Sequence, residues 1–250
     1  MRKEAKKKIL ILVEGQNTEP ELLQKLFTFY PELDVKYEVV SYCTHIYALY
    51  QSLFADDRAS EMDLLQVLKE REKDDKQKII LDQKYTDILL FFDFDAHDSQ
   101  FTEEKIKKML AYFCESSDMG QLYINYPMVE SFYHLKDIPD IEFQDKIIEV
   151  QALRDGKYKE IVHKESFRRF HKKYPASRKL YSCIIRHHIE KALHICASKP
   201  LLVNQEKLDA NMILDVQLDA MKNGYINVLC TCVWFIYEYN EVLRNQVMQR

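Results

Sequence analysis

With four glycines and six prolines in 250 residues, the sequence has too few of either for a loop-rich or low-complexity chain. It also lacks any apolar run near the roughly 18 residues that would suggest a membrane span. The first eight residues are basic, but the apolar stretch behind them, Ile9 to Val13, stops at Glu14. That is too short for the core of a secretory signal, so a cytoplasmic chain with no membrane partner is expected. The six cysteines, at 43, 114, 183, 196, 230 and 232, form no Cys-x-x-Cys pair and no regular framework. In a chain with this much to bury they are expected as free thiols, and Cys230 and Cys232, in an apolar segment, as packing residues. A Gly-x-x-x-x-Gly-Lys-Ser/Thr loop is missing too, so any ATPase function would have to come from a partner protein. What is present, 47% hydrophobic and 30% charged residues, belongs to a globular fold and excludes a disordered or collagen-like one.

The net charge of −4 hides an asymmetry. Residues 151–200 hold 13 Lys and Arg against 4 Asp and Glu, plus five histidines at 163, 171, 187, 188 and 194. Residues 9–150 hold 14 Lys and Arg against 29 Asp and Glu. An acidic part followed by a basic one suits a protein that grips a polyanion and sets metal-binding carboxylates near it. The plainer reading is that one half neutralises the other.

Hydrophobic patterning divides the chain by texture. Ile9 to Val13 reads as a strand buried on both faces. Thr18-Glu-Pro-Glu21 then resembles a capping box, with Thr18 as the cap, and Leu22, Leu23, Leu26, Phe27 and Tyr30 follow at helical spacing. Val35–Ser41, Asp87–Phe92 and Gln121–Asn125 read as further strands. Tyr47–Phe54, Met62–Leu68 and Thr102–Glu115 read as helices, with 69–78 a solvated helix end or loop. This alternation predicts an α/β domain over 8–140 with a mostly parallel sheet flanked by helices. From 141 to 250 helical patterns dominate, at 160–173, 177–196, 205–222 and 226–247, and predict a helical C-terminal subdomain packed on the sheet.

Carboxylates fall at strand ends: Glu14, then Asp93 and Asp95, then Glu130 just past a third strand. In an open parallel sheet the carboxyl ends of strands share one edge, where sites are built. Residues two apart in a strand point the same way, so Asp93 and Asp95 are expected to hold one cation together. Hard oxygen ligands of this kind suit Mg²⁺ or Mn²⁺. The alternative is a pair of loop or capping aspartates. In the basic segment, Lys164, Arg168, Arg169, Lys172, Lys173 and Arg178 are the candidate nucleic-acid contacts. Phe167, Phe170 and Tyr174, at i, i+3 and i+7, read as a core stripe rather than a base-stacking platform. His187, His188 and His194 read as phosphate contacts or solvated helix surface rather than a metal cluster. Val228 to Tyr239 reads as a buried helix and His97 as an exposed loop residue.

The stretch Ile9-Leu-Ile-Leu-Val-Glu-Gly-Gln-Asn-Thr-Glu19, followed by Leu89-Leu-Phe-Phe-Asp-Phe-Asp95, resembles a TOPRIM domain, the domain of topoisomerases, primases and many nucleases. With Asn125-Tyr-Pro-Met-Val-Glu130, it is similar to the stand-alone TOPRIM proteins of bacterial phage-defence loci, of the RloB and OLD-nuclease kind. The resemblance covers roughly 8–135. It implies Mg²⁺-dependent phosphodiester hydrolysis of DNA or RNA, tRNA included. Glu14 would be metal ligand or general base, Asp93 and Asp95 metal ligands, Glu19 a second acidic ligand, and Glu130 a completing one. A basic side chain, among Lys136, Lys164, Arg168 and Arg169, would steady the transition state. It also implies an ATPase partner as one possibility and a homodimer as a reasonable arrangement. The alternative function is a non-hydrolytic nucleic-acid-binding or regulatory subunit of such an ATPase. A haloacid-dehalogenase-like phosphatase shares the Asp-x-Asp after a strand, but there the pair comes near the chain start and a Thr or Val follows shortly after it. Here Ala96, His97 and Asp98 follow.

Overall fold

Continuous apolar runs become the central strands because both faces of each are covered. Leu10 to Val13 and Leu90 to Phe92 are almost wholly buried. The computed structural model describes residues 7–54, 63–117, 119–170, 173–197 and 209–249, with backbone alone at Arg169 and Phe170. Lys172 and residues 1–6 and 198–208 therefore lie outside the described residues, as do Met62 and the start of the helix expected from 205.

In chain order the elements are β1 (Lys8–Val13), α1 (Thr18–Phe29), β2 (Lys36–Ser41), α2 (Ile46–Phe54), α3 (Leu64–Arg71), α4 (Asp75–Leu81) and β3 (Asp87–Asp93). Next come α5 (Glu103–Tyr112), β4 (Cys114–Glu115), β5 (Gly120–Asn125), β6 (Ile147–Glu149), α6 (Val150–Arg154) and α7 (Tyr158–Glu165). The last are α8 (Arg178–Cys196), α9 (Ala210–Lys222), β7 (Tyr225–Asn227), α10 (Trp234–Tyr239) and α11 (Glu241–Met248). The chain is α/β, with a mostly parallel five-stranded sheet in the order β2-β1-β3-β5-β4. β1 runs parallel to β2, with Ile11 opposite Val39, and parallel to β3, with Ile11 opposite Leu89. The short β4 pairs antiparallel to β5. Among the described residues, no helix is long and apolar enough to cross a membrane.

Two compact units can be distinguished, each discontinuous in sequence. The first comprises Met1–Glu21, Asp34–Phe92 and Gln100–Tyr123 and holds β1 to β4 with α2 to α5. The second comprises Leu22–Leu33, Asp93–Ser99 and Ile124–Arg250 and holds the long helix α8 with the helices and the β6–β7 ribbon around it.

Several elements differ from the expectation. The solvated stretch 69–78 contains the start of α4, capped by Asp74, whose carboxylate accepts from the Lys76 N–H. The helix expected at 102–115 stops at Tyr112, and Cys114–Glu115 turns back to pair with β5. Helix α1 begins one residue earlier than the capping-box reading: the Asn17 carbonyl accepts from Glu21 N at 3.0 Å, so the cap is Asn17 rather than Thr18. The largest difference is at 226–247, expected as one helix. Tyr225–Asn227 is instead a strand antiparallel to Ile147–Glu149, and helix resumes only at Trp234. The stretch between, 228–233, is wholly buried but not helical, because its backbone amides bond to distant partners. Leu229 exchanges both hydrogen bonds with Tyr126 at 2.7 Å, and Thr231 and Cys232 both donate to Asn125 Oδ1 at 3.2 Å.

Candidate functional site

In the first unit, Glu14 follows directly on β1, and its backbone is held on both sides. Its N–H donates to the Phe91 carbonyl at 3.2 Å, and its carbonyl accepts from Cys43 N at 3.0 Å. The Glu14 side chain is half-buried. A Cβ at Gly15 would stand 2.7 Å from Glu19 Oε2, so a larger residue there would have to displace the end of that side chain. Glu19 is buried, and its Oε1 accepts the Gly15 N–H at 3.0 Å, so its carboxylate closes the turn between strand and helix. The sequence reading made Glu19 a metal ligand; in the structure one of its oxygens serves the turn.

In the second unit, Asp93 and Glu130 gather near a buried tyrosine. Asp93 Oδ1 accepts from the Val129 N–H at 2.9 Å and the Asn125 amide at 3.4 Å. It thereby caps the 3-10 turn Val129–Tyr133, whose own leading residue, Met128, supplies no side-chain cap. Asn125 is fully buried; its side-chain oxygen takes the Thr231 and Cys232 amides while its NH₂ faces Asp93. Glu130 pairs through Oε1 with Lys159 at 3.2 Å, while its Oε2 is buried without a hydrogen-bond partner. Tyr158 is fully buried, and its phenol is pushed far above the ordinary range, first by burial and then by the carboxylates of Glu130, Asp93 and Glu165.

Asp95 does not continue the strand. β3 ends at Asp93, Phe94 donates its N–H to the Asn125 and Pro127 carbonyls, and Asp95 adopts a left-handed φ of 28°. Its carbonyl accepts from Asp98 N at 3.0 Å, closing a turn. The alternation argument that aimed Asp93 and Asp95 the same way therefore does not apply, because period two holds only within extended backbone. A left-handed non-glycine residue costs on the order of 1 kcal/mol and is tolerated best by Asp and Asn. His97 is exposed, as expected.

A relay that sequence reasoning missed leads away from Tyr158. The Tyr158 hydroxyl lies 3.1 Å from His134 Nδ1, and His134 Nε2 lies 3.1 Å from Glu165 Oε2. Lys146 also reaches Glu165. Burial, and then the Lys146 charge, push the His134 imidazole down to about 4, so the ring is neutral near pH 7. Since a carboxylate only accepts, Nε2 carries the ring hydrogen and Nδ1 accepts from the Tyr158 hydroxyl. Partial burial would raise Glu165, but hydrogen bonds from Lys146 and His134 hold its carboxyl below the ordinary range. His134 lies four residues after Glu130 and could be noticed only as a histidine near the acidic residue; Tyr158 carries no local signal.

The basic candidates are already partly engaged. Arg178 donates to Glu32 Oε1 at 2.6 Å and also to Gln246, while stacking over Tyr30. Lys173 pairs with Asp137 at 3.3 Å, and Lys164 with Glu160 at 2.6 Å, one turn back on α7. Lys136 is tied to Glu142 at 2.6 Å. The Arg168 guanidinium lies 4.1 Å from the Tyr133 ring centroid. Exposed pairs of this kind are worth little, roughly 0–1 kcal/mol, and a phosphate competes with them readily. Of the expected aromatic stripe, Phe167 is buried and meets Tyr174 edge-on.

His188 overturns its expected role as phosphate contact or solvated surface. It is fully buried beside Phe132 and Phe143, and its Nδ1 accepts the Cys230 N–H at 3.0 Å. Burial pushes the ring down to about 3. All six cysteines are free thiols, as expected, with Cys230 and Cys232 both buried.

Carboxylate oxygens, one of them buried without a hydrogen-bond partner at Glu130, suit a hard divalent cation. Among the described residues, no group of three or more His, Cys, Asp or Glu side chains stands close enough together to hold an ion. Mg²⁺ keeps several waters and often takes only one or two carboxylates, so this donor set is compatible with it. Comparisons with protein-family models, with curated proteins and with solved structures found no match.

Proposed function

We propose that the protein is a divalent-metal-dependent nuclease of TOPRIM type that hydrolyses phosphodiester bonds of DNA or RNA, tRNA included, in anti-phage defence. One observation carries the reading: two neighbouring parallel strands end in carboxylates, with Glu14 directly after β1 and Asp93 as the last residue of β3. Carboxyl ends of parallel strands are where open α/β sheets build their sites. A bound Mg²⁺ or Mn²⁺ would lower the pKa of a water and offset charge on the attacked phosphate. Of the carboxylates the sequence offers for it, Glu14, Asp93, Asp95 and Glu130, one or two with waters would be enough to hold the ion. Glu14 would serve as a ligand or as the base that takes a proton from the attacking water, and a basic residue such as Arg168 would steady the charge that builds on the phosphate. Lys164, Arg168, Lys173 and Arg178 lie on segments that would contact the nucleic-acid backbone, at positions where exposed ion pairs give way to phosphate.

The test is cleavage of supercoiled DNA, linear DNA and total tRNA with Mg²⁺ or Mn²⁺, with an EDTA control. Wild type should cut at least one substrate, and Glu14→Gln and Asp95→Asn should each lose roughly 100-fold or more. Thermal melting must show that each variant is still folded. Asp93→Asn is less clean, because Asp93 also caps the Val129 turn. Cutting that persists in EDTA, or that survives Glu14→Gln unchanged, would remove the reading. Binding without cutting, in an assay that includes candidate ATPase partners, would place the chain with non-hydrolytic regulatory subunits.

A further inference from the structure

In the second unit a cleft of about 970 Å³ opens beside the N-terminal half of α8. Four cationic residues line it: Lys173, Arg178, Lys179 and Arg186. Among the described residues, no Asp or Glu lines it. Two of the four are neutralised from behind, Lys173 by Asp137 and Arg178 by Glu32. The other two are not. The Arg186 guanidinium meets the Gln249 carbonyl and, at 3.5 Å, Cys183 Sγ, neither of them a carboxylate. Among the described residues neither Arg186 nor Lys179 has a carboxylate partner. Like charges gathered in one concave surface sum their fields and raise the local concentration of anions.

The cleft is much larger than a bare anion needs, and its volume falls at the upper end of the range for small-molecule sites. Apolar side chains line it too: Ile138, Pro139, Leu180 and the half-buried ring of Tyr174, over which Lys173 lies at 4.7 Å. A ligand that satisfies both the cationic and the apolar lining has an anionic end and a flat or apolar body. We propose that this cleft binds a nucleotide through its terminal phosphate, with Arg186 and Lys179 meeting the phosphate and the apolar lining around Tyr174 and Leu180 receiving the sugar and base. A free mononucleotide and the 5′ end of a strand share this chemistry. The inference does not depend on metal-dependent cleavage, and its test runs without divalent metal.

Cys183 lines the cleft and serves as an internal reporter, with the exposed Cys114 as reference. The full chain, in EDTA, is titrated by calorimetry with adenosine 5′-monophosphate against adenosine, and with a short 5′-phosphorylated oligothymidylate against its 5′-hydroxyl twin. Alkylation of Cys183 and Cys114 by iodoacetamide is followed by mass spectrometry in the same samples. In at least one pair the phosphorylated member should bind roughly tenfold or more tightly than its twin, since charge-assisted hydrogen bonds are at stake. It should slow alkylation of Cys183 and leave Cys114 unchanged. Arg186→Gln should lose most of that difference, and Lys179→Gln, an exposed side chain whose change does not threaten the fold, should weaken it in the same direction. Whichever pair responds identifies the source of the phosphate. Equal binding of the unphosphorylated twins, no protection of Cys183, or inorganic phosphate competing as well as the mononucleotide would each overturn the proposal. Loss of cleavage in Glu14→Gln with this binding intact would separate it from the nuclease reading.

Discussion

The two units bury different kinds of side chain. Among the described residues the first buries one charged or polar side chain, Glu19, within a core of Ile, Leu, Val and Phe. The second buries nine: Asn125, Ser131, His134, Asp140, Ser166, His188, Lys191, Gln217 and Thr231. An apolar core tolerates small shifts because dispersion and water exclusion are not directional. A buried polar network holds only when each donor meets its acceptor, and a missing partner costs the desolvation of the group left behind. The second unit is therefore specified by long-range pairings. His188 Nδ1, for example, accepts the Cys230 N–H at 3.0 Å across 42 residues of chain.

The sharpest way to break this contrast is at Asn125. Removing its side-chain oxygen leaves the Thr231 and Cys232 amides buried without acceptors. Asn125→Ala should destabilise the chain by about 2–4 kcal/mol, read as a lower urea midpoint. An unchanged midpoint would mean that this network does not hold the 228–233 segment.

Comparable in size is the pH dependence, which the second unit should dominate. Lys191 is fully buried, donates to the Phe143 and Lys146 carbonyls, and is pushed by burial down to about 7. From about pH 7 to the unfolded value near 10.4 the unfolded chain holds a proton that the folded chain does not, so stability rises with pH across that window. The slope approaches about 1.4 kcal/mol per pH unit, and Lys191→Met should remove it. His188, at about 3 when folded, acts at lower pH. Its contribution is present above the unfolded value near 6.5 and is lost as pH falls toward 3. His188→Asn keeps an acceptor for the Cys230 N–H and should flatten that acid limb. Urea midpoints between pH 4 and 10 on the three proteins check both, and parallel curves would mean that neither group is titrating as described.

The smallest effect belongs to the first unit, where local signals dominate. Thr102 caps α5 by accepting from Lys105 N at 3.2 Å. Thr102→Ala should cost about 1 kcal/mol with no change in the pH profile, by thermal or urea unfolding. A loss several times larger would show that the first unit also depends on polar pairings.

This division explains what could be read without coordinates. Ile9–Val13, Asp87–Phe92 and Gln121–Asn125 were each recognisable as strands to within a residue or two, because a strand covered on both faces is a continuous apolar run. Helix α8 matched 177–196 for a similar reason, its apolar positions recurring along one face with Ser177 as cap. The 225–233 stretch defeated the same reading. Its apolar residues suit a buried helix equally well, and only Ile147–Glu149, Tyr126 and Asn125, each at least about 75 residues away, decide that it pairs instead. For the candidate site, the sequence placed Glu14 and Asp93 at strand ends, whereas the turn at Asp95, the capping duties of Asp93 and Glu19, and the Tyr158–His134–Glu165 relay were not legible.

By itself, then, the sequence determined the α/β class, the main strands with the carboxylates that follow them, the free thiols and the basic segment. Each of these follows from residue type or from periodicity within a few neighbours, interactions that any local stretch of chain can satisfy. Tertiary structure alone decided that His188 is core, that Arg178 is tied to Glu32, and that Lys179 and Arg186 line a cleft that, among the described residues, holds no carboxylate. A histidine or arginine carries the same local signal on a surface or in an interior. Which one it occupies depends on partners that only the folded chain brings near.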